Sequence, residues 1–265
     1  MKKLLLITLL LVVALVGCGS NDNDDSDNPV LRVGMELKYP PFETIDTDGN
    51  PDGVSVKIAE ALGDYLGREV EIVPTAYKSL IPALESGKID IIISSMTINA
   101  ERQKVVDFSD PYTTSDLVML VHKDSIVKSP ADLNNPDVTI ASKAGTIGAL
   151  WAAANAPLAK IKTVEEEASA VLEVAQGKSD VFIYDPLAII NHQQNHPETT
   201  VAILEPLPNT SGWGIALAKG QDELREQINA FLKQAAEDGT FQEIRDNYLQ
   251  DKIKEFEKYG LDFFF

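Results

Sequence analysis

The sequence predicts an α/β protein, with parallel strands and helices packed on both faces. Two observations predict it. Short apolar runs rich in Val and Ile alternate with longer stretches of helical period from Leu31 to Leu249. Helix start and stop signals fall between them, among them Ser129-Pro130, Asp185-Pro186, Gly87 and Gly177.

In chain order, Leu31 to Met35 is a short strand. The loop from Glu36 to Phe42 follows, and Pro40 and Pro41 fix its backbone and deny it sheet pairing. Asp48 to Gly53 is a turn cluster. Ile58, Ala59, Leu62 and Leu66 share one face of a helix from Val54 to Leu66. Glu69 to Val73 is a strand, Leu80 to Leu84 a short helix, and Ile89 to Ile93 a strand whose unbroken apolar run marks it as buried. Arg102 lies on a short helical turn before Val105-Val106. Asp116 to Val121 is a strand, and Ser129 caps a helix that Pro130 begins. Val138 to Ala141 is a strand, with a helix from about Ile147 and another over about Glu165 to Gln176. Val181 to Tyr184 is a strand, and Asp185 caps the next helix. A strand from Trp213 to Ala218, an amphipathic helix from Gln221 to Ala236 and a helix from about Thr240 to Leu249 complete the pattern.

In such sheets the ligand site lies beyond the carboxyl ends of the strands. Three polar clusters stand at strand ends: Ser95, Thr97 and Arg102; Lys143, Gly145 and Thr146; and Asp185. Hydroxyls with a guanidinium can hold a carboxylate, because the planar fork of Arg matches its two oxygens. Two clusters anchor an anion and the third is an acid. Together they suggest a ligand carrying both charges, such as an amino acid.

A length of 265 residues allows one large domain or two of ordinary size. The net charge is −18, and without the basic Lys2 and Lys3 the chain has 21 basic against 41 acidic residues. That excludes the clustered cations of a nucleic-acid groove. Cys18 is the only cysteine and there are three scattered histidines, so no disulfide, metal centre or cofactor is expected. No Ser/His/Asp set or Cys nucleophile is visible, so the chain reads as a binder and not an enzyme. Lys2-Lys3 followed by the apolar run Leu4 to Val16 is a targeting segment too short to span a membrane as a stable helix. Its end, Leu15-Val16-Gly17-Cys18, resembles the lipobox of bacterial lipoproteins, in which the Cys is lipidated. Residues 19–29 have no apolar side chain and read as a disordered tether.

Tyr39-Pro40-Pro41-Phe42, Asp52-Gly53, Leu80 to Leu84 with Ser86 to Asp90, Met96 to Arg102, Phe108 to Tyr112, Asp132-Leu133, Gly145-Thr146, Gly177 to Asp180 with Asp185, and Gly239-Thr240 occur in one order over about residues 30–250. In that order they resemble the solute-binding proteins of polar amino-acid ABC transporters, solute-binding protein family 3. The resemblance implies two α/β lobes joined by two hinge strands, a periplasmic-binding-protein-like fold of type II. Residues 30–113 and 213–250 would form the first lobe and 117–209 the second. Residues 1–17 would be the signal peptide and 18–29 the lipidated Cys and tether; the tail 251–265 extends past the resemblance and is expected to pack on the first lobe.

The same resemblance implies the site. Arg102 would grip the ligand α-carboxylate, aided by Ser95, Thr97 and Thr146, and Asp185 would take the α-ammonium. Tyr39 and Tyr77 would sandwich the ligand side chain, while Glu36 and Lys143 match selectivity positions. Glu36 is left with three readings: a salt bridge to Lys38, one to Lys143, or selection of a cationic ligand. Arg, Lys or Gln is the expected ligand. The expected partners are ABC permease subunits and, through lipid on Cys18, the extracytoplasmic face of a bacterial membrane. A monomer is expected. A dehydratase-like cleft enzyme on the same fold, or an amino-acid sensor, is the alternative. Asn99 stands where the family usually has Thr, and serves equally well as a helix cap.

Overall fold

The structure is a computed structural model that describes residues 30–208 and 211–261. The expected signal segment, Cys18, the tether and the terminal Phe263 to Phe265 lie outside the described residues. Strand β1 (Leu31–Met35) is followed by a small hairpin, β2 (Thr44–Ile45) and β3 (Pro51–Asp52), then α1 (Val54–Leu66), β4 (Val70–Pro74), α2 (Leu80–Glu85), β5 (Ile91–Ile92) and β6 (Val106–Phe108). Next come β7 (Val118–His122), β8 (Thr139–Lys143), α3 (Ile147–Asn155), β9 (Lys160–Val164), α4 (Glu167–Ala175), β10 (Val181–Tyr184), α5 (Pro186–Asn195) and β11 (Thr200–Ile203). The chain ends with β12 (Ala216–Ala218), α6 (Asp222–Glu237), α7 (Thr240–Tyr248) and α8 (Gln250–Lys258).

These elements build two α/β lobes. The first holds a sheet of order β4-β1-β5-β12-β6 and the second a sheet of order β11-β7-β10-β8-β9. The fully buried Ile91 and Ile92 put β5 in the middle of the first sheet, as their apolar run predicts. The sheets are mixed and not wholly parallel: β12 is antiparallel to β5 and β6, and β7 is antiparallel to β10 and β11. The cause is the chain path, since β12 enters its sheet only after the excursion through the second lobe. Two crossing segments lie side by side. The Tyr112 N–H donates to Trp213 O at 3.0 Å, and the Leu207 N–H to Leu117 O at 2.8 Å.

Two strands have no clear sequence signal. In β9, Lys160 to Thr163 are exposed, an edge strand without a core face. β11 is an edge strand after a polar, His-containing stretch. The tail departs from the expectation of packing on the first lobe alone. Phe256 of α8 is 1 % exposed and shares a core with Leu187 and Ile190 of α5. Lys252 Nζ donates to Asn191 Oδ1 at 3.0 Å and Gln194 Nε2 to Glu255 Oε1 at 2.6 Å, so α8 touches both lobes.

Candidate ligand-binding cleft

The first polar cluster forms where the chain leaves β5. Among the described residues Ser95 is the only non-glycine with positive φ, at 47°, a strained backbone of the kind that gathers at ligand sites. Asn99 Oδ1 accepts the Arg102 N–H at 2.9 Å, the cap role its sequence position predicts. Arg102 is 4 % exposed. Its Nη1 donates to Thr97 O, and its Nη2 to Tyr77 Oη at 3.3 Å and across the cleft to Gly145 O at 3.0 Å. Every one of these acceptors is uncharged, so among the described residues no anion pairs with the buried cation.

The second cluster forms at the end of β8. Gly145 has φ +78°, and a Cβ there would stand 3.1 Å from Lys78 Cα of the first lobe, so glycine allows the lobes to meet. Thr146 caps α3: its hydroxyl donates to Lys143 O at 2.8 Å and accepts the Ala149 N–H at 3.5 Å. The Lys143 ammonium, 2 % exposed, pairs with Glu36 Oε2, so the Lys143 reading of Glu36 is the one realised. Glu36 Oε1 also accepts the Tyr77 N–H at 3.3 Å. Two exposed pairs, Lys38–Glu166 and Lys78–Glu165, both at 2.8 Å, also link the lobes. Both are solvent-exposed, so screening leaves them weak.

The third cluster stands at the end of β10. Asp185 Oδ1 accepts the Ala188 N–H at 3.0 Å and so caps α5. Burial, only partly offset by this bond, pushes its carboxyl up to about 6. No cation pairs with it among the described residues. The buried Tyr39 hydroxyl faces it. Tyr39 stacks on Phe42 at 5.2 Å, while Trp213 meets Phe42 edge-on at 4.9 Å and Tyr184 meets Tyr39 edge-on at 6.0 Å.

These groups line a cavity between the lobes. Of the residues singled out from the sequence, Glu36, Tyr39, Tyr77, Ser95, Thr97, Thr146 and Asp185 line it. Arg102 and Lys143 do not. They border neighbouring grooves and touch the lining through Tyr77, Thr97 and Glu36. Sequence reasoning missed Glu43, Ser94, Tyr184, Ser115 and Leu117 as lining residues. Trp213, at the start of a predicted strand, lines the cavity and packs edge-on against Tyr39. Tyr184 was legible in principle, being next to Asp185; nothing local marks Glu43.

Glu43 is 2 % exposed and accepts from three serine hydroxyls. Ser55 Oγ donates to its Oε2 at 2.6 Å, Ser95 Oγ to its Oε2 at 3.0 Å and Ser94 Oγ to its Oε1 at 3.3 Å. Burial outweighs these bonds and pushes the carboxyl up to about 8.

The family model of bacterial extracellular solute-binding proteins, family 3, matches residues 31–251. The chain belongs to this family. Among its relatives, the L-cystine-binding protein TcyJ of Escherichia coli strain K12 is 29% identical over 228 residues, 85% of each chain. A solved ancestral amino-acid-binding protein, AncCDT-1, described as a precursor of cyclohexadienyl dehydratase, is 38% identical with TM-score 0.73, covering 84% of this chain and 96% of its own. An ancestral arginine-binding protein solved with arginine is 32% identical with TM-score 0.74, covering 83% of this chain and 98% of its own. These relatives are amino-acid binders, and the family is extracellular or periplasmic. In this family-3 chain no helix among the described residues is long and apolar enough to cross a membrane.

Proposed function

We propose that the chain captures an uncharged polar L-amino acid between its lobes and delivers it to an ABC permease, held at the membrane by lipid on Cys18. The observation that carries the reading is Asp185. It is a buried carboxyl with no cation beside it among the described residues, and the buried Tyr39 hydroxyl faces it. Leaving such a carboxyl without a cation is costly, and an α-ammonium supplies one. Behind the Thr97 and Tyr77 side of the lining, Arg102 is a buried cation with no anion beside it among the described residues. In this reading it gives up Gly145 O for the ligand carboxylate, while Thr97 and Thr146 add polar contacts. Because Arg102 and Thr146 come from opposite lobes, a ligand between them favours closure, with the crossing segments as hinge.

The side chain of such a ligand runs past Tyr77 towards Glu36. Lys143 already neutralises that acid, so a second cation there gains no free anion. Of the ligands expected from the sequence, Arg, Lys and Gln, this favours Gln. A thermal-shift screen of the common amino acids tests the proposal. A ligand that binds only the folded form raises the melting temperature, and L-glutamine is expected to raise it more than L-arginine or L-lysine. Stabilisation by sugars or peptides alone would refute the reading.

The pH dependence has a definite sign. In the unliganded protein the Asp185 carboxyl lies above its unfolded value of 3.8, at about 6. Its contribution to stability is therefore present below the unfolded value and lost as pH rises through the folded one. Ligand binding works the other way, because only the carboxylate pairs with an ammonium. Affinity should fall towards about tenfold per pH unit below pH 5, and isothermal titration of Asp185→Asn should show weaker binding without that fall.

A second reading is favoured by one observation, the likeness to AncCDT-1. A cleft dehydratase would release product from a cyclohexadienyl substrate, and a product assay separates the two.

A further inference from the structure

We propose that Glu43 is a positioning residue for ligand binding: it holds Ser94 and Ser95 from beneath the cavity, and its proton decides whether Ser95 offers the ligand a hydrogen or a lone pair. The inference rests on the amino-acid reading above. Glu43 closes the loop that carries Tyr39, for the two residues exchange backbone bonds, Tyr39 N to Glu43 O at 2.8 Å and Glu43 N to Tyr39 O at 3.0 Å. Its side chain then turns inward to Ser55 on α1 and to Ser94 and Ser95 after β5. Ser94 Oγ in turn accepts the Glu36 N–H at 3.0 Å. One carboxyl thus ties together the Tyr39 loop, α1, the start of the Glu36 loop and the strained Ser95. The strain at Ser95 persists only while its surroundings hold it, and its bond to Glu43 is such a hold.

Gly53 keeps this geometry in register. Its φ is +117°, and a Cβ there would come within 2.5 Å of Phe42 O. The Phe42 carbonyl accepts the Ser55 N–H at 2.8 Å, which aligns Ser55 with Glu43.

The protons can be followed. A serine hydroxyl has one hydrogen and two lone pairs. If Glu43 is ionised, Ser55, Ser94 and Ser95 all turn their hydrogens into it, and Ser95 shows the cavity only lone pairs. If Glu43 is neutral, its own hydrogen goes to one serine oxygen and one serine hydrogen is released. A ligand carboxylate only accepts, so a hydrogen from Ser95 attracts it and a lone pair repels it. The titratable groups around Glu43 are Glu36, whose negative charge favours the neutral form, and the buried Tyr112 on the crossing segment. Asp185 and Tyr39 line the same cavity. No cation pairs with Glu43 among the described residues, in keeping with a carboxyl that stays neutral through neutral pH.

The test is isothermal titration of L-glutamine, with L-arginine and L-cystine as further probes, from pH 6 to 9.5 on the wild type, Glu43→Gln and Glu43→Ala. The ligand's own ammonium titrates equally against all three proteins, so the comparison isolates residue 43. The wild type should lose about tenfold more affinity than Glu43→Gln as pH rises through the range in which Glu43 ionises. Glu43→Gln, always neutral, should bind within about threefold of the wild type at pH 7, and Glu43→Ala at least about tenfold more weakly. Parallel profiles for the wild type and Glu43→Gln, or wild-type affinity in Glu43→Ala, would overturn the inference while leaving the amino-acid reading intact. Failure of the wild type to bind any of the probes would overturn both.

Discussion

Arg102→Ala is expected to weaken amino-acid binding by about 2–5 kcal/mol, roughly thirtyfold to several thousandfold. Arg102 is 4 % exposed and its guanidinium bonds only to the oxygens of Thr97, Tyr77 and Gly145. A buried cation with neutral partners is held at a cost that an anion relieves. When the α-carboxylate arrives, two parallel charge-assisted bonds replace one to a carbonyl. Truncation to Ala leaves that carboxylate enclosed and unpaired. Arg102→Lys should lie between, because an ammonium is a point charge and cannot present the fork. Isothermal titration measures the loss, and a melting curve of the unliganded variant separates it from damage to the fold. Undiminished affinity in folded Arg102→Ala would remove the carboxylate from this position.

Lys143→Met should exchange ligand preference. Lys143 and Glu36 belong to different lobes and pair as nearly dry side chains, 2% and 9% exposed. Met roughly fills the volume of the lysine stem but removes the charge. Glu36 then keeps the Tyr77 N–H but is enclosed without its cation whenever the lobes meet, which costs about 3–5 kcal/mol. L-glutamine cannot neutralise Glu36 and should bind at least a hundredfold more weakly. The guanidinium of L-arginine can replace the missing ammonium, so its affinity should rise relative to the wild type. Titration of both ligands against both proteins measures the crossover. If Lys143→Met binds L-glutamine as the wild type does and gains nothing for L-arginine, the cross-cleft pair does not set selectivity.

Much of the fold was legible because its signals are local. The helix over Val54 to Leu66 follows from an apolar face of helical period, the cap at Asp185 from its own side chain and the proline after it, and β5 from an unbroken run of isoleucine. Where the signal is not local the reading failed. β9 owes its place to backbone pairing with β8, since four of its five residues are exposed. The antiparallel β12 reflects the route of the chain. The helix in the tail has a clear apolar residue in Phe256, yet its reach to Asn191 and Gln194 of the second lobe depends on where α7 delivers it.

The candidate site divides in the same way. Sequence by itself determined the α/β class, the approximate elements and the kinds of chemistry at the strand ends: hydroxyls with a guanidinium, a lysine before a capping threonine, and an aspartate. Ordered motifs extended that to a family and a set of roles. Only the tertiary structure decided which charges meet. It joined Lys143 to Glu36 across 107 positions of chain, left Arg102 and Asp185 without ionic partners among the described residues, and buried Glu43 under three hydroxyls. The physical reason is that desolvation and pairing set the state of an ionisable group, and both depend on neighbours brought near by folding. A glutamate reads the same in sequence whether it ends in water, beside an ammonium or among serines.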